Sequence, residues 1–172
     1  MKNITKIFAI ALVALGFSAT SFAQSTNSAS VTNATAAATI VAPITITNPT
    51  ALNFGTSGTL ATASTVILAA DGSRSGTAPT FAGSAAPSAG VFAITGSPSA
   101  TFAITMPSSG TVLTGPSSAT MTITDWVSSL GTASVMSVAG DKSLVVTGTL
   151  LVGANQLAGV YNGTYAVTVA YN

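Results

Sequence analysis

From Ala34 the even positions of the chain are apolar (Ala34, Ala36, Ala38, Ile40, Ala42, Ile44, Ile46), while Thr39, Thr45 and Thr47 fall on the other face. A period of two is that of a strand, so Ala34–Thr47 is predicted to be the first strand of a domain, with Pro43 at a bend or an edge. Further short runs follow at Ser64–Ala70, Gly90–Thr95, Thr101–Met106, Ala119–Trp126, Ser134–Val138, Ser143–Val152 and Tyr161–Tyr171. Turn-forming clusters such as Asp71-Gly72-Ser73 and Gly96-Ser97-Pro98-Ser99 separate them. Short strands punctuated in this way predict an all-β antiparallel sandwich or barrel. No segment beyond the first two dozen residues shows a helical period with caps.

Two patterns refine this. Phe92-Ala93-Ile94-Thr95 recurs ten residues later as Phe102-Ala103-Ile104-Thr105; two copies are too few for a repeat array and are expected to be two strands presenting Phe and Ile to one core. In the last run Tyr161, Tyr165, Val167, Val169 and Tyr171 share one face, and the alternation continues nearly to Asn172, so the C-terminus is expected to be held in a sheet.

Residues 1–23 carry Lys2 and Lys6, an apolar run from Ile7 to Phe17 and small residues ending Ser21-Phe22-Ala23. This is the three-part pattern of a secretory signal peptide, with cleavage expected after Ala23. The apolar run is shorter than the ~20 residues of a membrane-spanning helix, so no span is expected in the mature chain. The expected organisation is a signal peptide at 1–23, a flexible N-terminal arm at 24–33 with Ala29 and Val31 as its apolar side chains, and one β-domain at 34–172.

Composition then removes most chemistry. Only 4% of the residues are charged, and His and Cys are absent, as is Glu. Beyond the leader the ionised side chains are Asp71, Arg74, Asp125, Asp141 and Lys142. Asp71 and Arg74 fall in a turn-like loop with Arg74 solvated, and Asp141-Lys142 fall in a turn after Gly140. The three aspartates match no contiguous cation-binding loop, and zinc, copper or iron would lack their usual ligands. No G-x-S-x-G motif or activating base accompanies the serines. Two mature bases cannot neutralise a phosphate track, which argues against nucleic acid as a partner. No catalytic, cofactor-binding or metal-binding residue is therefore assigned. Trp126 is expected in the core. A transmembrane barrel ranks low, because the runs are short and one Trp with three Tyr cannot form two aromatic girdles.

At Leu52-Asn53-Phe54-Gly55, at Phe92-Ala93-Ile94-Thr95-Gly96 and above all at Gly163-Thr164-Tyr165-Ala166-Val167-Thr168-Val169-Ala170-Tyr171-Asn172, the chain resembles a family of small exported bacterial domains of unknown function. It is more distantly similar to the spore coat protein U and Csu-type subunits of archaic chaperone-usher pili. The resemblance implies an immunoglobulin-like antiparallel β-sandwich. For the pilin relatives it also implies donor-strand exchange, in which one subunit's arm, here 24–33, completes the sheet of the next. The expected function is that of a non-enzymatic, exported structural subunit of a bacterial surface filament, coat or matrix, reaching the surface by way of the periplasm and associating through sheet edges left open by the scarcity of charge. The expected partners are further copies or related surface subunits, and a periplasmic chaperone. The alternative is a monomeric surface binding module, an adhesin or ice-binding protein, presenting a Thr-rich face that includes Thr120, Thr122 and Thr124.

Overall fold

The computed structural model describes residues 29, 33–81, 85–108 and 110–172. The expected signal peptide, and the expected arm apart from Ala29 and Asn33, lie outside the described residues. Packing divides the chain into Met1–Ala38 and Thr39–Asn172, and the fold is that of the second unit. Its elements are β1 (Thr45–Thr50), β2 (Thr56–Ser57), β3 (Ser64–Leu68), β4 (Arg74–Gly76), β5 (Thr80–Phe81), β6 (Gly90–Thr95), β7 (Thr101–Thr105), β8 (Thr111–Thr114), β9 (Thr120–Ser128), β10 (Ala133–Val135), β11 (Asp141–Val152) and β12 (Thr168–Tyr171). A 3-10 turn at Pro116–Ser118 is the one helical element among the described residues.

The fold is an antiparallel β-sandwich, as the short alternating runs predict. The larger sheet has seven strands in the order β1-β6-β11-β3-β4, with β9 on the other edge of β11 and β8 beyond it. Facing it are a three-stranded sheet, β10-β7-β12, and a small ribbon of β2 and β5. The hub is β11, whose 12 residues pair β6 from Asp141 to Val146 and β3 from Thr149 to Val152, while Val146–Leu151 pair β9 on the opposite edge. Its sequence explains this: Leu144, Val146, Leu150 and Val152 alternate to one face and are buried, with Ser143 and Leu151 exposed on the other.

A bulge interrupts the β9–β11 ladder where Thr147 pairs Val127 but Thr149 pairs Thr124. Asp125 absorbs the extra residue with a φ of 49°, and the shift in parity turns Trp126 inward after Ile123. Gly148 lies opposite; a Cβ there would sit 3.0 Å from Ile123 Cγ2 and 3.1 Å from the Thr124 carbonyl oxygen, so the glycine makes room for the bulge.

The core has two halves along β11. One contains Leu144 and Val146 with Phe92, Ile94, Phe102, Ile104 and Met136. The other contains Leu150 and Val152 with Phe54, Val66, Leu68, Ala78 and Ile123. Trp126 packs against both. The two Phe-Ala-Ile-Thr runs do serve one core, from opposite sheets: β6 in the larger and β7 in the smaller. No residue of β10, β7 or β12 enters the second half, so the covering sheet closes only the first.

Four expectations need correction, the first being that Asp141 and Lys142, expected in a turn, are the first residues of β11 and pair with Thr95 and Ile94. The ladder begins at Thr45, so residues 34–44 of the expected first strand have no pairing partner. The run from Tyr161 keeps its alternation of half-buried and exposed residues to Tyr171, but only Thr168–Tyr171 pair as β12. Arg74 is half-buried on β4 and hydrogen-bonded, where a solvated loop position was expected. Each correction concerns a pairing partner far away in sequence, which a local period does not specify.

Candidate functional site

Over the uncovered half of the core lies a groove of about 700 Å³. Its floor is apolar, formed by Phe54, Leu113, Met121, Ile123, Leu150 and Val152. One wall is the segment from Leu52 to Thr59, which includes β2; the other is the segment from Gln156 to Gly163, continued by Tyr165.

Local chemistry shapes each wall. On the first, Asn53 and Ser88 exchange two backbone hydrogen bonds of 2.8 Å, and the Asn53 side chain accepts from the Gly55 N–H at 2.7 Å, which turns the chain through a positive φ at Gly55. On the second, Gln156 donates to the Thr120 carbonyl and to the Tyr161 hydroxyl, and Tyr161 donates to the Leu157 carbonyl. Asn162 and Thr114 form an isolated bridge that ties this wall to β8. Leu157 and Val160 stay exposed, Val160 to 76%.

The C-terminal end of this wall supplies the groove's main chemical feature. Residues 163–167 run extended into β12, yet none of their backbone N–H or C=O groups has a hydrogen-bond partner among the described residues. Gly163, Thr164 and Ala166 are exposed, so water can satisfy these groups in the isolated subunit, and the segment is an open edge to which a strand can be added. Within the lining, Ser57 Oγ is buried without a partner. An apolar ligand would leave these groups unsatisfied, whereas an extended peptide would bring both donors and acceptors.

Tyr165 closes the groove toward the covered half. Its ring stacks on Trp126 at 4.7 Å between centroids and meets Phe92 edge-on at 6.1 Å. Its hydroxyl is buried near the Asn48 side chain without a hydrogen bond of good geometry. Burial pushes the Tyr165 pKa above its ordinary value, and Asn48 offsets only part of this. The unfolded chain therefore ionises first, near pH 10. The stabilisation is fully present below that pH and is lost as pH rises through the folded value. Thermal midpoints are expected to fall above about pH 10, and Tyr165→Phe is expected to reduce that slope; an unchanged slope in the variant would refute the assignment to Tyr165.

The sequence-derived charged residues lie elsewhere. Asp71 caps the β3–β4 turn, where hydrogen bonds from Ser73 hold its carboxyl below the ordinary value. Asp125 sits in the β9 bulge and accepts from Thr124 Oγ1 at 3.0 Å. Asp141 and Lys142 open β11, with Ser137 Oγ donating to Asp141. Among the described residues no group of three potential metal-ligating side chains comes together, and no helix is long and apolar enough to cross a membrane. Thr120, Thr122 and Thr124 point away from the core, cross-strand from Thr114, Leu151 and Thr149. Trp126 is in the core as expected, half-buried between its two halves. Reading the chain alone missed the groove; its signal was alternation without a definable partner at residues 161–167.

Neither a curated protein nor a solved structure matches the chain. A family model described as a domain of unknown function (DUF4402) matches residues 44–171, from just ahead of β1 to the end of β12. The chain thus belongs to this domain-of-unknown-function family, and the matched region takes in both walls of the groove and its floor.

Proposed function

We propose that the protein is a non-enzymatic, exported structural subunit of a bacterial surface filament, coat or matrix, assembled when the groove of one copy accepts an extended segment of another. The observation that carries this reading is the unpaired backbone of residues 163–167, of which Gly163 and Tyr165 line the groove over the open apolar half-core. A polypeptide strand supplies at once the ladder partner and the apolar cover.

The same chain offers a suitable donor. Residues 34–44 join no ladder and Ile40 is 95% exposed, while the Ala42 carbonyl accepts from the Tyr171 hydroxyl at 2.9 Å and Ile44 packs on the subunit's own core, so the part of the segment available to a partner precedes Ala42. Its alternation places Ala36, Ala38, Ile40 and Ala42 on one face. This segment replaces the polar 24–33 arm as the donor in our reading, because it carries the larger aliphatic side chain. It also leaves from the end of the domain opposite the groove: Thr45 pairs Thr95, Thr95 pairs Asp141, and the groove floor lies at Leu150 and Val152. Nine residue steps along β11 separate Asp141 from Leu150, a span of ~30 Å. Donor and acceptor at opposite ends favour head-to-tail contacts, which build open filaments when the rotation does not close a ring.

The reading is the one that a distant resemblance to spore coat protein U and Csu-type pilin subunits would imply. It also gives a periplasmic chaperone a physical task, covering the open half-core before assembly. The monomeric binding alternative is less favoured, because the Thr row on the outer face is broken by Leu151, Ile67 and Val112 and lies on a sheet whose strands twist by about 20–25° each. Size-exclusion chromatography and negative-stain microscopy of the exported protein test the proposal. Oligomers or fibres are expected, whereas a strictly monomeric species at high concentration would overturn it.

A further inference from the structure

We propose that Arg74 is the positioning residue of the groove, fixing the Leu52–Thr59 wall without touching the occupant; this rests on the reading of the groove as a strand acceptor. Arg74 opens β4 at the edge of the larger sheet and is absent from the groove lining. Its Nη1 donates to the carbonyls of Phe54 at 3.1 Å and Thr56 at 2.7 Å, and its Nη2 donates to the Phe81 carbonyl at 3.1 Å. Phe54 and Thr56 line the groove, and Phe81 is the β5 partner of Thr56. One side chain thus holds both strands of the ribbon to the larger sheet.

The other ties lie outside the ribbon's two strands: the Thr77 and Ala78 N–H groups donate to the Thr65 carbonyl ahead of β5, and Asn53 and Ser88 exchange bonds ahead of β2. The β2–β5 ladder has only two residue pairs, Thr56 with Phe81 and Ser57 with Thr80, extended by the Gly58 N–H to Pro79. A ladder this short is not stable by itself. Hydrogen bonds from a charged donor are the stronger kind, and three of them converge here. The wall is also shaped to the guanidinium: a Cβ on Gly55 would lie 2.9 Å from Arg74 Nη1, and the positive φ at Gly55 already favours glycine. Lysine cannot reproduce this, because a single ammonium on a flexible stem lacks the planar fork that reaches acceptors on two segments.

The test uses full-length Ile40→Asp chain as an acceptor unable to donate its own segment, with Arg74 kept or changed by Arg74→Lys or Arg74→Met. The probe is a labelled synthetic peptide of residues 34–44. Arg74→Met is expected to weaken peptide binding by about tenfold or more and Arg74→Lys by less. Amide exchange at Asn53, Gly55 and Gly58 is expected to accelerate in Arg74→Met, while protection around Phe92–Ile94 and Leu144–Val146 is retained. Equal affinity in the Arg74 and Arg74→Met chains would overturn the assignment. If the peptide fails to bind even with Arg74 present, the acceptor reading falls, and exchange alone decides the role of Arg74: faster wall exchange upholds it and unchanged exchange refutes it. If Arg74→Met loses protection throughout, the Arg74→Lys chain decides the matter by the same two measurements.

Discussion

Ile40→Asp is expected to leave the protein monomeric under conditions in which the unmodified chain assembles. Ile40 is 95% exposed within its own subunit, so the substitution removes almost no internal packing; surface changes of this kind usually alter stability by no more than about 0.5 kcal/mol. In an assembled partner the same side chain would be the largest of those on the donor face that its own domain does not hold, beside Ala36 and Ala38. Burying an isoleucine contributes about 1.5–3 kcal/mol. Placing a carboxylate over Leu113, Ile123 and Leu150 instead adds a desolvation cost with no cation in the groove lining to offset it. A combined loss of about 4 kcal/mol corresponds to roughly a thousandfold weaker association. Sedimentation velocity and thermal unfolding on the same sample separate the outcomes: a lost assembly with an unchanged thermal midpoint is expected. Normal fibres from Ile40→Asp would remove residues 34–44 as the donor.

The scarcity of charge has a related consequence. The groove lining contains no Asp, Arg or Lys, and neither does the donor segment. Their association is therefore governed by apolar burial and backbone pairing, which salt screening barely touches. The rest of the subunit manages its edges unevenly: β4 carries the half-buried Arg74, while the outer edge of β12 bears no charged side chain. In a domain this poor in ions, edge protection has to come from occupancy by another strand more than from repulsion.

Period-two alternation identified β3, β6, β7, β9, β11 and the C-terminal strand because each presents several large side chains to one core face. It did not identify β2, β4, β5 and β8, which are two to four residues long and too short to show a period. Its boundary errors have a common form. Residues 34–44 and 161–167 both alternate, yet neither segment has a ladder partner beyond the single bridge at Asn162. Alternation reports which face of a segment is apolar; pairing requires a neighbour, and a neighbour from another copy is invisible in one chain. The two failures fall on the proposed donor and on the proposed acceptor, where local pattern and isolated fold are expected to disagree if the missing partner is intermolecular. Arg74 escaped notice for a different reason: its three acceptors lie 7 to 20 residues away, and a loop reading of Asp71-Gly72-Ser73-Arg74 contains nothing that points to them.

Trp126→Ala is expected to be strongly destabilising, costing about 3 kcal/mol, the lower end of the range for removing a large aromatic from a core because the ring is half-buried. Trp126 packs against both halves of the core, and its ring supports Tyr165 at 4.7 Å. Removing it would leave a void at the junction of the closed and open halves, with Gly148 opposite and unable to fill it. Trp126→Phe separates shape from polarity. The indole Nε1 is buried without a hydrogen-bond partner, so phenylalanine gives up ring volume but also removes an unsatisfied donor, and the net change should be much smaller than for alanine. Chemical denaturation of the three chains, in the non-assembling Ile40→Asp background so that association does not enter, measures the difference. A cost for Trp126→Ala below about 1 kcal/mol, well short of the range for buried aromatics, would mean that the two half-cores are stabilised independently. The open half could then loosen alone, and the groove would have to be described as a shape acquired on strand uptake in place of one held ready by the closed half.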